Sequence, residues 1–209
     1  MRVREPFNTY SHLTGGILAA IATIVLCVMA RQNTLAVVAF AIFGAGAIFL
    51  YSGSTAYHWA STSKSWLQRM DHSAIFVMIA ASYTPLCLLT LDAPTKWIVL
   101  GTQWGLAIAG LLYNMLKGKP PAWVRLTMYL TMGWMALPLT PLILKYSNPT
   151  VLAWMIAGGL AYTIGVFFYS SKKPLLWPGK FSNHEIWHLF VLAGSACHFT
   201  MMWWLPLGG

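Results

Sequence analysis

Seven stretches of the chain contain no Asp, Glu, Lys or Arg: residues 6–30, 32–63, 72–91, 97–116, 126–144, 146–171 and 186–209. Each is about 19 residues or longer, and a helix needs about 20 to cross the hydrocarbon core of a bilayer. The windows are apolar throughout instead of alternating over ten residues, which predicts helices and not barrel strands. Only 8% of the residues are charged, against roughly a quarter in a soluble domain, too few to cover a surface facing water. Aromatic residues at 14% exclude an intrinsically disordered chain. The expectation is an all-α membrane protein, a single seven-transmembrane-helix bundle over residues 1–209, with no soluble domain.

Basic residues set the orientation. Arg2, Arg4, Lys64, Arg69, Lys117, Lys119, Arg125, Lys172, Lys173 and Lys180 fall at the N-terminus and in the second, fourth and sixth connections; the other side holds Arg31, Lys96 and Lys145. Ten against three predicts a cytoplasmic N-terminus and an outside C-terminus. The net charge of +9 therefore reads as topology in short loops. With no basic-aromatic stripe to track a backbone, it does not indicate nucleic-acid binding.

The first window has a basic start but no small-residue cleavage site near Arg31, and polar Asn8, Ser11 and His12 at its beginning; it reads as the first span and not a signal peptide. Cys27, Cys87 and Cys197 lie in apolar windows without a pairing pattern and read as small packed hydrophobes. Pro120-Pro121 and the run Lys172-Lys173-Pro174 through Trp177-Pro178-Gly179 mark connections. Pro85, Pro138 and Pro141 lie inside spans, where a bundle tolerates kinks. Gly44, Gly46, Gly158 and Gly159 allow close approach of helices.

Ionisable residues in or beside a span are the informative ones in such a chain. Glu5 and His12 lie at the cytoplasmic start of the first span, His58 at the cytoplasmic end of the second, and Asp71 and His72 at the opening of the third. His184, Glu185 and His188 open the seventh from the same side. Only His198 lies deeper, about 15 Å beyond His188 at the helical rise. His184 and His188, four apart, present two imidazoles on one helical face. His58, at similar depth, would complete a three-histidine site, and three protein ligands to Zn²⁺ leave a fourth position for water. Asp71 is placed to hydrogen-bond that water and accept its proton, and Ser54 lies one turn further in from His58. Glu185 fits a capping box with Ser182 as N-cap, His72 fits an interfacial histidine, and His198 faces the bundle interior, where hydrogen bonding and ligation are both open.

His184-Glu185-Ile186-Trp187-His188 matches H-E-x-x-H. Zinc proteases of that signature take a third ligand from downstream, yet Glu185 is the last acid and His198 misses the required spacing. The protease reading is therefore rejected.

Glu5-Pro6-Phe7-Asn8 before the first span, Ser54-x-x-x-His58, Asp71, and His184-x-x-x-His188 followed by His198 resemble the haemolysin III family, the bacterial branch of the superfamily that includes the adiponectin and progestin receptors. The resemblance covers essentially the whole chain. It implies zinc on His58, His184 and His188, Asp71 holding the zinc-bound water, Ser54 beside them, and ceramide-like lipids as substrates. The step from His58 to Asp71 is shorter than in the receptors. Two functions are expected to compete. One is a zinc-dependent hydrolase of lipid amides using Asp71 and Ser54, with membrane lipid as substrate. The other is a non-enzymatic regulator of membrane state, or a haemolysin-like protein, in which zinc is structural.

Overall fold

The computed structural model describes residues 3–61, 65–118, 120–177 and 181–207. Arg2, Lys64, Lys119 and Lys180, used above for orientation, and Pro178 and Gly179 of the sixth connection lie outside the described residues. The helices are α1 (Pro6–Met29), α2 (Thr34–Trp59), α3 (Ser65–Thr90), α4 (Thr95–Leu116), α5 (Ala122–Trp134), α6 (Thr140–Tyr146), α7 (Pro149–Ser171) and α8 (Asn183–Trp203). A 3₁₀ turn at Leu137–Leu139 joins α5 to α6, and the two together make the fifth of seven spans, Ala122–Tyr146. Among the described residues there is no strand, only one isolated bridge between Trp177 and Phe181. The molecule is an integral membrane protein with seven apolar helices.

Helix starts follow local chemistry. Asn33 caps α2 by accepting from the Ala36 N–H at 2.9 Å, and Asn148 caps α7 from the N–H groups of Thr150 and Val151. Ser182 and Glu185 form the expected capping box at α8, which satisfies donors that a helix start otherwise leaves orphaned. The third, fourth, fifth and seventh spans overrun their charge-free windows. The third span begins at Ser65, so Asp71 is not at its opening but nearly two turns inside it. The windows mark the hydrocarbon segment, whereas helical hydrogen bonding continues into the interface wherever the backbone is unbroken.

α3 is the central element. It touches α2, α4, α5, α6 and α8, and 72% of its apolar window is buried, against 22% for α1. α1 packs on α2, α2 on α3, α3 on α4 and α7 on α8, and α1 meets α8 to close the bundle. The outer faces carry exposed Leu18, Ile24, Ile98 and Phe167, suited to lipid. Exposed Trp66, Trp97, Trp123 and Trp203 sit at helix ends, where amphipathic rings favour the bilayer interface. Gly44 lies so close to Thr23 of α1 that a β-carbon would overlap the threonine side chain. Cys27, Cys87 and Cys197 are free thiols.

The fifth span is interrupted, not merely kinked. Pro138 and Pro141 cannot donate to the helical ladder and crowd the preceding turn, so α5 stops at Trp134 and the chain passes through the 3₁₀ turn. Carbonyls left at the end of α5 are recovered by side chains from its neighbours. The Tyr83 hydroxyl of α3 lies 2.8 Å from the carbonyl oxygens of both Met132 and Gly133, and Gln103 of α4 donates to Met132 at 2.9 Å. Broken backbone at membrane depth survives when neighbours satisfy it in this way. Gly133, Trp134, Ala136 and Leu137 at the break line an apolar cavity inside the bundle.

Candidate metal centre

Depth along the spans brings the ionisable residues to one end of the bundle, and packing selects among them. His58, at the end of α2, and His184 and His188, in the first turns of α8, offer ligand atoms that all lie within 4.8 Å of one another. The Nε2 atoms of His184 and His188 are 3.3 Å apart. A tetrahedral ion with ligand distances of about 2.0–2.1 Å has edges of about 3.3–3.4 Å between ligand atoms. His58 and His188 are 1% and 2% exposed, and the buried Nε2 of His58 has no hydrogen-bond partner. Three imidazoles from two spans, with a buried lone pair left unpaired, fit a divalent cation that accepts nitrogen ligands.

The opposite nitrogen of His58 is engaged. Its Nδ1 lies 2.6 Å from Oε2 of Glu5, and the Glu5 N–H donates to the His58 carbonyl at 3.2 Å. A carboxylate here accepts the Nδ1 proton and leaves Nε2 as the basic atom, an arrangement common behind metal-binding histidines. The His58 hydrogen bond is the main reason the Glu5 carboxyl falls to about 2 from 4.5, against the opposing effect of partial burial. Asn8, fully buried, donates from Nδ2 to Glu5 Oε2 and to Glu185 Oε1, each at 3.0 Å. Glu185 Oε2 accepts from the Ser182 N–H and hydroxyl at 2.7 Å. Both oxygens of Glu185 are thus committed to capping and to Asn8, in keeping with a structural part in the H-E-x-x-H match.

Asp71 and Ser54 come together beside the histidines. The Ser54 hydroxyl is a side-chain partner of the Asp71 carboxyl, and His58 and Arg125 are basic groups that act on it. Asp71, Ser54, Arg125, Tyr129, His184 and His188 line one pocket. Arg125, counted above as a topology signal in a loop, is 5% exposed and sits in the first turn of α5 facing that pocket. His12 is also buried, and its ring packs on His188 with centroids 3.8 Å apart, outside the three-histidine group. His198 lies away from the group and lines the apolar cavity. The polar pocket and that cavity lie side by side, with Leu50, Ile75, Tyr129, Trp187 and Val191 lining both, the first polar at the histidines and the second apolar toward the break in the fifth span.

Sequence reasoning gave Glu5 and Asn8 no part in the site, although both stand in the motif before the first span, and counted Arg125 only toward topology. The available signal was scarcity: Glu5 is one of four acids in the chain, at the depth of His58, where an unpaired charge is costly.

Comparison with known proteins identifies the family. The family model described as haemolysin-III related matches residues 1–199. Hemolysin-3 of Bacillus cereus is 36% identical over 202 residues, covering 93% of this chain and 88% of the relative. The human monocyte to macrophage differentiation factor is 33% identical over 174 residues, covering 78% and 68%. The heptahelical transmembrane protein ADIPOR1 of Oryza sativa subsp. japonica is 26% identical over 182 residues, covering 77% and 48%. With its seven spans and a match along nearly its whole length, the chain belongs to the haemolysin-III related family.

Proposed function

We propose that the chain is a zinc-dependent hydrolase of lipid amides, with Zn²⁺ held by His58, His184 and His188. The observation that carries this reading is a polar pocket at the histidines set directly beside an apolar cavity, with five wall residues in common. Such a pairing suits an amphiphile whose polar head lies at the histidines and whose tail lies among apolar walls. A ceramide-like amide has that shape. Zn²⁺ at this position would polarise the amide carbonyl and lower the pKa of water beside it.

The chain's own residues divide the remaining work. Asp71 would take the proton of the attacking water as the carbon–oxygen bond forms. It would then deliver that proton to the amine nitrogen as the carbon–nitrogen bond breaks, yielding a fatty acid and a free amine. Ser54 would orient the Asp71 carboxyl. Arg125, buried beside Asp71, would stabilise negative charge developing on the carbonyl oxygen. The basic asymmetry of the loops supports a site on the cytoplasmic side, and the membrane would be a bacterial cytoplasmic one.

A second reading makes the ion a staple between the second and seventh spans of a non-enzymatic membrane regulator or haemolysin-like protein; the near-complete burial of His58 and His188 supports it. Asp71→Asn separates the two. It keeps the side chain's shape and removes the base. Hydrolysis predicts that zinc content and melting temperature stay at wild-type level while fatty-acid release from amide lipids falls by about 10²–10⁴. A staple predicts no release by wild type across amide lipids of the host membrane, and no effect of Asp71→Asn on any membrane phenotype.

A further inference from the structure

Glu5 occupies the N-cap position of α1, where an acid ordinarily accepts from the N–H groups of the first turn. Its side chain makes no such bond. The carboxylate reaches across to α2 instead, where Oε2 meets Nδ1 of His58 at 2.6 Å. Residues 5 and 58 are joined a second time through the Glu5 N–H and the His58 carbonyl. Arg4 donates to Glu5 Oε1 at 3.0 Å and stacks over Tyr57, 4.5 Å from its ring centre. Asn8 ties Glu5 to Glu185 at the start of α8. The segment from Arg4 to Asn8 therefore bonds to both helices that supply the three histidines. The rest of α1 packs on α2 and α8 along one face and looks outward elsewhere, with 22% of its apolar window buried.

We propose that Arg4–Asn8 is a strap that fixes His58 in the tautomer with its proton on Nδ1, so that docking of the strap and binding of the metal ion are coupled. This rests on the three-histidine metal site proposed above. A neutral imidazole has one donor and one acceptor nitrogen. With Glu5 docked, the Nδ1 proton is committed and the Nε2 lone pair points among the other two histidines. With Glu5 withdrawn, the proton is free to move to Nε2, and the ring must surrender it before binding an ion. Glu5 and Asn8 are positioning residues. Coupling is reciprocal: the strap raises metal affinity, and the metal must hold the strap down.

The test uses the full chain purified in detergent, titrated with Zn²⁺ against a competing chelator. Glu5→Gln should bind zinc about tenfold more weakly and Glu5→Ala up to about a hundredfold, the usual range for the partner behind a metal-binding histidine. Asn8→Ala should fall between wild type and Glu5→Ala. Amide hydrogen exchange over residues 5–9 should slow when zinc is added to wild type, and this response should vanish in Glu5→Gln. A purely structural role would lower the melting temperature and leave both zinc affinity and zinc-dependent exchange unchanged, which would overturn the strap. Should Glu5→Ala not fold, wild type and Glu5→Gln decide by the same two measurements. Failure of wild type to bind zinc at all would instead remove the metal site on which the strap rests.

Discussion

Removing the ion should weaken the bundle by an amount that can be worked from the site. Without a cation, His184 and His188 can share one proton across their 3.3 Å contact. Nε2 of His58 has no such recourse and is left buried without a partner, a penalty of about 1–3 kcal/mol. Mass action gives a similar figure, since free zinc at about a hundredfold over its dissociation constant stabilises the folded form by about 2.7 kcal/mol. For a chain of this size each kcal/mol moves the melting temperature by roughly 2–4 °C, so stripping the metal should lower it by about 5–11 °C. The assay is a thermal melt of the purified protein in detergent, before and after chelation and again after zinc is restored, with metal content measured on each sample. His184→Ala/His188→Ala should contain no stoichiometric zinc and should not respond to chelation, while His72→Ala should behave as wild type. Full occupancy in the double variant, or a melting temperature unmoved by stripping zinc from wild type, would refute the reasoning.

Tyr83→Phe keeps the ring but leaves the Gly133 carbonyl at the break in the fifth span without its donor, while Gln103 still serves Met132; the expected loss is about 1–2 kcal/mol in equilibrium unfolding, and an unchanged unfolding curve would show that the break does not depend on Tyr83. Reporter fusions after Lys64 and Lys119 should report cytoplasm, and fusions after Arg31 and Lys96 the exterior; reversed signals at two or more of these positions would overturn the orientation and the cytoplasmic placement of the histidines.

The spans were legible in the sequence because hydrocarbon is an unforgiving solvent. It demands long apolar runs and internally bonded backbone whatever the neighbours are, so the runs from Pro6 to Met29 or from Pro149 to Ser171 declare themselves residue by residue. Depth was legible for the same reason. Counting residues along each span puts His58, Asp71, His184 and His188 at one level, and the four-residue step puts the last two on one face of α8. Azimuth was not legible. Nothing in the one-dimensional order says that Glu5 turns from its own helix to His58, or that Asn8 reaches Glu185 across 177 positions. Nor does it say that Arg125, in a loop by charge counting, is folded inward beside Asp71. The fifth span shows the same division: Pro138 and Pro141 announced a weak helix, but whether it bends or breaks depended on Tyr83 and Gln103 from adjacent helices being in reach of the freed carbonyls. The sequence by itself determined which segments cross the membrane and how deep each polar group lies. The tertiary structure decided which groups meet, because that depends on the rotation and order of helices around the bundle, set by packing among side chains distant in the chain.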